Sequence, residues 1–209
     1  MIRNIWCVGR NYRDHAKEMN AAVPSTPMIF LKAGSSASVN STDIILPFWA
    51  EEIHHEVEIA LKLSPYLHVV EAAVALDLTE RKAQAAAKAK GEPWTLSKSF
   101  DGACAVSAFF MVKKFEDLAD KKLRLWVNDE LKQEGTTADM IFGFAEIVEH
   151  VKTYFPICAG DLILTGTPAG VGPLKDGDTV RAEFEGEITH IWKVRQDKKP
   201  EDKQTPYQL

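Results

Sequence analysis

The sequence has few cysteines, no long apolar run and no cluster of basic residues, and each absence narrows the possible functions. The three cysteines, Cys7, Cys104 and Cys158, are far apart, which favours reduced thiols in a cytoplasmic protein over a disulfide framework. No apolar stretch is long enough to span a bilayer, and residues 1–6 lack the features of a signal peptide. We therefore expect a cytoplasmic protein without a membrane partner.

Acidic residues outnumber basic residues by 30 to 25, which gives a net charge of −5, and the charges are spread along the chain. Without a basic stripe, nucleic acid is not an expected partner. Hydrophobic residues make up 45% of the sequence, a proportion typical of a soluble globular protein with a buried core. The length predicts a single domain over residues 1–209.

A short segment, residues 54–61, alternates polar and apolar side chains in the manner of a half-buried β-strand. Residues two apart on a strand share a face, so Glu56 and Glu58 should lie side by side, with Val57 on the opposite face. Two adjacent carboxylates repel each other unless a cation lies between them, and Mg²⁺ or Ca²⁺ prefers such oxygen ligands. The spacing alone leaves a solvated strand face as the alternative.

A strand is predicted over residues 4–9, followed by a short helix that Asn11 or Asp14 could cap. On this helix His15 and Glu18 are three positions apart, so their side chains can meet. A carboxylate beside an imidazole orients the ring and raises its basicity, which makes the pair a candidate general base. An exposed helical ion pair is the alternative interpretation.

An alanine-rich segment predicts a strong helix that Thr79 caps and Gly91 ends. Asp77 lies just before this helix, where the helix dipole favours an anion. Arg81 and Gln84 are three positions apart, so both lie on one helix face near Asp77. The alternative for Arg81 is a solvated helical charge.

The remaining chain predicts hairpins, one more helix and loops. Residues 123–133 and residues 179–194 each read as two strands joined by a tight turn. Apolar residues at helical spacing predict a core-facing helix that begins near Thr137 or Asp139. The glycine- and serine-rich residues 33–42 predict a surface loop.

Two further features concern the middle and the end of the chain. Lys98 is a lone cation between apolar flanks, and such a lysine reaches to water unless an anionic ligand binds it. A strand that begins near Leu162 runs into a loop of glycine, proline and threonine, which collects backbone amides and hydroxyls in one place. Within it Gly170-Val171-Gly172 is weak evidence for phosphate binding, because no phosphate-loop lysine follows.

Five motifs occur in order along nearly the whole chain, and together they are far more specific than any one of them. They are Gly9-Arg10-Asn11-Tyr12 with His15 and Glu18, His54-His55-Glu56-Val57-Glu58, Ala75-Leu76-Asp77-Leu78-Thr79 with Arg81 and Gln84, Trp94 with Lys98-Ser99-Phe100, and Leu164-Thr165-Gly166-Thr167-Pro168 with Gly170-Val171-Gly172. In these motifs the sequence resembles the fumarylacetoacetate hydrolase family in its short single-domain form, which includes acylpyruvases, oxaloacetate decarboxylases and tautomerases, and isomerases of aromatic-compound breakdown.

The resemblance implies an α+β, β-rich fold, a mixed β-sandwich roll with a few short helices, assembled as a homodimer. Residues 1–40 would form the N-terminal strand and a lid, and residues 196–209 a mobile tail. The sequence departs from the family pattern at three places. Glu58 and Asp77 are 19 positions apart, which is closer than the family pattern predicts. Asp129 stands where a hairpin glycine is common, and Ala33 follows Lys32 where a proline is usual.

The resemblance also implies the roles of individual residues. The implied metal ligands are Glu56, Glu58 and Asp77, the implied catalytic residues are His15, Glu18 and Lys98, and the implied substrate-binding residues are Arg81, Gln84 and Thr167. The implied cofactor is Mg²⁺ or Mn²⁺, for which Ca²⁺ could substitute in crystals.

The implied substrate is a small 2-oxo acid, whose carboxylate and keto oxygens can chelate the metal while the adjacent bond breaks through a metal-bound enolate. Because the His15–Glu18 pair is present, we favour hydrolysis of an acylpyruvate C–C bond or decarboxylation of oxaloacetate. The alternatives are an isomerase or tautomerase of an unsaturated 2-oxo diacid, an oxaloacetate tautomerase, and a metal-stabilised binding protein without turnover.

Overall fold

Strands dominate the fold, which a computed structural model describes for residues 1–18 and 22–199. Within these residues the strands are β1 (Asn4–Gly9), β2 (Met28–Ala33), β3 (Ala37–Val39), β4 (Asp43–Leu46), β5 (Ile53–His55), β6 (Val57–Leu63), β7 (Val69–Asp77), β8 (Thr79–Glu80), β9 (Cys104–Val106), β10 (Phe110–Met111), β11 (Lys122–Val127), β12 (Glu130–Thr136), β13 (Leu162–Leu164), β14 (Gly172–Pro173), β15 (Thr179–Phe184) and β16 (Ile188–Gln196). The α-helices are α1 (Arg13–Glu18), α2 (Arg81–Lys90), α3 (Thr95–Lys98) and α4 (Phe144–Tyr154).

The largest sheet has eight strands in the order β2-β1-β13-β6-β7-β9-β3, with β10 paired to β7. Its central strands β6 and β7 are antiparallel, in a register that pairs Val57 with Leu76. Because side chains alternate along β6, Val57 and Ile59 face the main core, while Glu58 and Ala60 lie on the opposite face. The predicted alternation is therefore present in β6.

A second sheet has five strands in the order β12-β11-β15-β16-β4. Apolar side chains from both sheets form one continuous cluster, which includes Leu61 and Leu76 from the larger sheet and Leu125, Phe184 and Trp192 from the smaller. The main core thus lies between two sheets, with short helices around them. This arrangement confirms the predicted α+β, β-rich fold.

Both predicted hairpins are present, as β11–β12 and β15–β16. Asn128 and Asp129, between β11 and β12, have φ angles of 52° and 67°. A two-residue turn between twisted strands requires this left-handed backbone, which asparagine and aspartate tolerate. The Asn128 side chain donates to Asp178 and accepts from the amide of Thr179, so tertiary contacts hold the turn without a glycine.

The acidic segment differs from the predicted single strand over residues 54–61, because it divides at Glu56. The second part, β6, belongs to the large sheet, whereas β5 pairs with β8 and β14 in a separate three-stranded sheet. The carbonyl of Glu56 still accepts a hydrogen bond of 2.8 Å from the amide of Asp77. The contact between the two chain segments therefore continues across the division.

The start of α2 differs from the prediction, while its end agrees with it. Glu80 rather than Thr79 caps the helix, and its carboxylate accepts from the amide of Ala83. The hydroxyl of Thr79 instead donates to the carbonyl of Asp77. Gly91 ends the helix in the left-handed conformation, at a φ of 69°.

The start of α4 is also later than predicted. Thr137–Asp139 form a separate 3-10 turn, and α4 begins only at Phe144. The amides of Ile141 and Phe142 donate to the backbone and side chain of Asn11 rather than to a preceding turn of helix. Tertiary hydrogen bonds therefore take the donors that a longer helix would need.

The predicted surface loop over residues 33–42 is wrong. Gly34–Ser36 form a 3-10 turn, and β3 pairs in parallel with β9 at the edge of the large sheet. Of the predicted lid and tail, residues 19–21 and 200–209 lie outside the described residues. In the part of the chain that the structure describes, no helix has the length and apolar character needed to cross a membrane.

Candidate active site

Three buried carboxylates lie together where β6 and β7 meet the small sheet. Glu58 is in β6, Glu56 directly precedes that strand, and Asp77 is the last residue of the neighbouring β7. One oxygen from each side chain lies within 4.8 Å of the others. The in-register pairing of β6 with β7 brings Asp77 to this position despite its short separation from Glu58 in the sequence.

Two buried lysines place positive charge on both oxygens of Asp77. Lys98 Nζ is 2.5 Å from Asp77 Oδ2 and 3.0 Å from Glu56 Oε2. Lys32 Nζ is 2.6 Å from Asp77 Oδ1 and also donates to two backbone carbonyls. Lys98 therefore binds anions of the protein itself rather than reaching to water. Lys32 has no assigned role among the sequence predictions, although a lysine inside an apolar strand indicates a buried charge.

The buried charges shift one another's pKa values. Burial alone would raise the pKa of Glu56, but Lys98 and Arg81 outweigh it and hold that pKa well below its ordinary value. Burial would lower the pKa of Lys98, but the carboxylates of Asp77 and Glu56 raise it above its ordinary value. Burial, Asp77 and Glu56 all raise the pKa of Glu58. Glu58 is thus the carboxylate whose negative charge the protein compensates least.

Arg81 and Gln84 lie on the side of α2 that faces the carboxylates. Arg81 Nη2 is 2.5 Å from Glu56 Oε1, and Arg81 Nη1 donates to Gln84 Oε1 at 2.9 Å. The side chain of Arg81 is mostly buried, so it is not the solvated helical charge that the sequence left open. The i, i+3 spacing thus places both side chains in the site.

The His15–Glu18 pair also forms. His15 Nδ1 is 2.9 Å from Glu18 Oε2, and Glu18 Oε1 accepts from the amide of Gly170 at 3.1 Å. His15 is buried, whereas Glu18 is exposed. Because Nδ1 faces Glu18, the imidazole has Nε2 available for a ligand.

One cavity of about 330 Å³ connects these groups. Eight of the nine residues that the sequence assigned to the site line it, namely His15, Glu56, Glu58, Asp77, Arg81, Gln84, Lys98 and Thr167. The ninth, Glu18, contacts the cavity through His15. Buried carboxylates, a histidine and two cations around one cavity can bind a divalent ion and move a proton.

Gln133 is a buried amide near the site that the sequence analysis did not single out. Its Oε1 accepts from His55 Nδ1 at 2.9 Å and from the amide of Val57 at 3.1 Å. Its Nε2 donates to Thr167 Oγ1 at 2.9 Å and to the carbonyl of Pro168 at 2.8 Å. Gln133 therefore joins both neighbours of Glu56 to the loop that carries Thr167.

The family to which the chain belongs follows from its match to a family model. The family model for the fumarylacetoacetate (FAA) hydrolase C-terminal domain matches residues 4–195. The chain belongs to the fumarylacetoacetate hydrolase family. It is therefore related to enzymes, and the buried carboxylates, Lys98 and His15 lie in a family member's cavity.

Individual family members agree with this assignment. A human relative named oxaloacetate tautomerase FAHD1, mitochondrial, is 42% identical over 209 residues, which cover 95% of this chain and 93% of the relative. A Dictyostelium discoideum relative named oxaloacetate decarboxylase, mitochondrial, is 40% identical over 88% of this chain and 89% of its own length. The crystal structure of fumarylpyruvate hydrolase from Pseudomonas aeruginosa, in complex with Mn²⁺ and pyruvate, matches with a TM-score of 0.87 and 26% identity, over 94% of this chain and 91% of that chain.

In this family member, Gln133→Met is expected to weaken both the fold and the binding of substrate. The variant leaves the amide of Val57 and the hydroxyl of Thr167 without their partner, which costs about 1–3 kcal/mol for each unsatisfied buried group. Because Thr167 lines the cavity, KM should rise more than kcat falls. Urea unfolding and steady-state kinetics measure the two effects.

Gln196→Met is the matched control, since the Gln196 amide also donates to two carbonyls but is exposed. We expect a smaller loss of stability and no change in KM. If Gln133→Met lost stability with an unaltered KM, Gln133 would support the fold without positioning Thr167.

Proposed function

We propose that the chain is a Mg²⁺- or Mn²⁺-dependent enzyme that converts oxaloacetate between its enol and keto forms. The observation that carries the proposal is that three buried carboxylates, Lys98 and the His15–Glu18 pair meet around one cavity. The human and Dictyostelium relatives support oxaloacetate as the substrate, since both are named for it.

The residues present fit a hard divalent cation. Glu56, Glu58 and Asp77 offer the oxygen ligands that Mg²⁺ and Mn²⁺ prefer. Glu58 Oε2 contacts the amide of Gly166 at 2.6 Å rather than a lysine or arginine, so a bound cation would supply the missing charge. When bound, the ion would chelate the carboxylate and keto oxygens of a 2-oxo acid and polarise the keto group. The Mn²⁺ in the Pseudomonas structure supports this choice of ion.

The chain's own residues would hold the substrate and move one proton. Arg81, Gln84 and Thr167 would donate hydrogen bonds to the 2-oxo acid, with the guanidinium matching a carboxylate. Lys98 would offset the negative charge that develops on the keto oxygen.

The proton transfer would use His15. In the enol-to-keto direction the C2 hydroxyl loses a proton and C3 gains one, and His15 Nε2 could carry it between these atoms. Glu18 would hold the ring through Nδ1, at 2.9 Å, and stabilise the imidazolium that forms in between. The same base could also activate water for hydrolysis, so the preference for tautomerisation rests on the relatives named oxaloacetate tautomerase.

Decarboxylation of oxaloacetate is the second candidate, because the Dictyostelium relative is named for that reaction. Loss of CO₂ leaves the enolate of pyruvate, so the same positive charges would assist without a base. Hydrolysis of an acylpyruvate, also favoured from the sequence, has the Pseudomonas fumarylpyruvate hydrolase as its support.

The proposal predicts a metal-dependent tautomerase that requires His15. Protein supplied with Mg²⁺ or Mn²⁺ should accelerate the loss of the ultraviolet absorbance of enol-oxaloacetate, and a chelator should abolish the effect. His15→Ala should lower the rate about 10²–10⁴-fold, since a positioned proton-transfer group contributes that much. Release of pyruvate from oxaloacetate would indicate decarboxylation. Parallel assays with acetylpyruvate and fumarylpyruvate test for hydrolysis of an acylpyruvate.

His150→Ala is the matched control, because His150 packs against Tyr154 on α4 and is not among the residues that line the cavity. It should retain the wild-type rate. Full activity in His15→Ala would remove the histidine from the mechanism, and a metal-loaded protein that turned over none of these substrates would overturn the proposed function.

We also propose that the protein is a homodimer. In support, Leu31 is 49% exposed on β2, an edge strand of the large sheet, beside the apolar Pro93 and Trp94. Light scattering gives the mass in solution and tests this directly. The cytoplasmic location and the division into one domain with a lid and a tail stay predictions.

A further inference from the structure

Two basic residues line the cavity in addition to those already assigned to the site. Arg10 follows β1, and Lys88 lies in the last turn of α2 at the cavity rim. Arg10 Nη2 contacts Met28 Sδ at 3.6 Å, and Lys88 Nζ lies 5.2 Å from the centre of the Trp94 ring. Among the ion pairs of residues 1–18 and 22–199, neither side chain has a carboxylate partner. These two cations are therefore available to an anionic ligand.

Helix α2 relates Lys88 to the groups that would hold the 2-oxo acid. Arg81, Gln84 and Lys88 are spaced i, i+3 and i+7, so they follow one face of the helix. At 1.5 Å per residue, the Cα of Lys88 lies about 10 Å along the axis from that of Arg81. All side chains of a helix lean toward its N-terminus, so Lys88 and Arg81 lean in the same direction along the axis. Both residues line the same cavity, so a ligand that contacts both would carry a negative group at each end.

The charges along this face are unevenly compensated. Arg81 and Lys98, at the inner part of the cavity, contact Glu56, and Lys98 also contacts Asp77. The ammonium of Lys88 has no carboxylate partner among the residues that the structure describes. Partial burial of this exposed residue, followed by the positive charges of Arg81 and Lys98, lowers the pKa of Lys88, and Arg10 adds to the effect. An anion at the rim would relieve this repulsion.

The backbone of Arg10 gives a second, independent observation. Its φ of 59° lies in the left-handed region, which is unfavourable for a residue with a long side chain. Strained backbone of this kind persists where the surrounding structure enforces it, and it is common at ligand sites. Arg10 lines the cavity just after β1, and its guanidinium contacts Met28, which also lines the cavity.

We propose that Arg10 and Lys88 form a subsite for the second carboxylate of a 2-oxo dicarboxylate, and that they select dicarboxylates over 2-oxo monocarboxylates. This inference rests on the proposed function, because it places the first carboxylate at the inner part of the cavity. The apolar Phe30 and Trp94 line the cavity with them and would pack against the carbon chain of the ligand.

Oxaloacetate and 2-oxobutyrate test the subsite, since they differ in a carboxylate that replaces the terminal methyl group. Binding to the Mn²⁺-loaded protein is measured as the change in tryptophan fluorescence within the first second after mixing, before decarboxylation of oxaloacetate becomes appreciable, since Trp94 lines the cavity. Arg10→Gln and Lys88→Gln should each lower the affinity for oxaloacetate about tenfold, which corresponds to the loss of one charge-assisted hydrogen bond. The affinity for 2-oxobutyrate should stay at the wild-type value.

Matched controls remove a nearby charge that does not line the cavity. Arg13→Gln alters an exposed residue of α1, and Lys90→Gln an exposed residue at the end of α2. Both should bind the two ligands as the wild type does. The proposed subsite would be wrong if Arg10→Gln and Lys88→Gln lowered the affinity for both ligands equally. It would also be wrong if they changed the affinity for neither ligand.

The outcomes also separate this inference from the proposed function. A protein that prefers oxaloacetate to 2-oxobutyrate in binding but turns over no substrate would retain the subsite and lose the function. A protein that tautomerises oxaloacetate, but whose Arg10 and Lys88 variants keep its affinity, would retain the function and lose the subsite.

Discussion

Lys98→Met is expected to lower kcat/KM for oxaloacetate about 10²–10³-fold, the usual cost of removing one positioned charge that stabilises a transition state. The ammonium of Lys98 lines the cavity and is 2.5 Å from Asp77 Oδ2. The variant should still bind the metal although its activity falls, because the substitution removes a competing cation from between Glu56 and Asp77. Steady-state kinetics and a Mn²⁺ titration by electron paramagnetic resonance measure the two effects separately.

Lys90→Met is the control for the loss of a lysine, since Lys90 is exposed at the end of α2. It should match the wild type in both measurements. A Lys98→Met protein that remained as active as the wild type would exclude Lys98 from catalysis. Loss of Mn²⁺ binding together with activity would assign Lys98 to the architecture of the carboxylate cluster instead.

Lys32→Met is expected to reduce the free energy of unfolding by about 3 kcal/mol when a chelator is present, because it removes one of the two lysines that contact Asp77 and leaves two buried carbonyls without their donor. Lys32 is fully buried, and its Nζ lies 2.6 Å from Asp77 Oδ1. Methionine has a similar length but neither the charge nor the donors. Lys32 is not among the described residues that line the cavity. Turnover by the folded Lys32→Met protein should therefore fall less than turnover by Lys98→Met.

Urea unfolding followed by tryptophan fluorescence measures this loss, and Lys62→Met provides the comparison. Lys62 pairs with Glu71 at 2.6 Å in the same sheet, but both side chains are partly exposed, so the pair contributes about 1 kcal/mol or less. Saturating Mn²⁺ should restore part of the stability of Lys32→Met, because a ligand that binds only the folded state stabilises it. Equal losses in the two variants would contradict a special role for Lys32.

The two lysines of the cluster therefore have different expected functions, although both contact Asp77. Lys98 is on α3 and faces the cavity, where a ligand can contact it. Lys32 is on the edge strand β2, but its side chain is buried, where it compensates the charge of Asp77 and donates to two carbonyls. Measuring stability and activity for both variants separates these functions.

The sequence by itself determined the features that depend on local spacing. The alternation of β6 separated Glu58 from the core-facing Val57, and the i, i+3 spacing brought His15 to Glu18. The αL preference of glycine ended α2 at Gly91. In each case the interaction joins residues a few positions apart, so its geometry follows from the period of the strand or helix.

Only the tertiary structure decided where distant segments meet. The late start of α4 depends on hydrogen bonds from its predicted first turn to Asn11, more than a hundred residues earlier. The positions of Lys32 and Gln133 depend in the same way on Asp77 and Thr167, which are distant in the sequence. No local pattern encodes such partners, because a buried charge or amide is stable only where the fold supplies its counterpart.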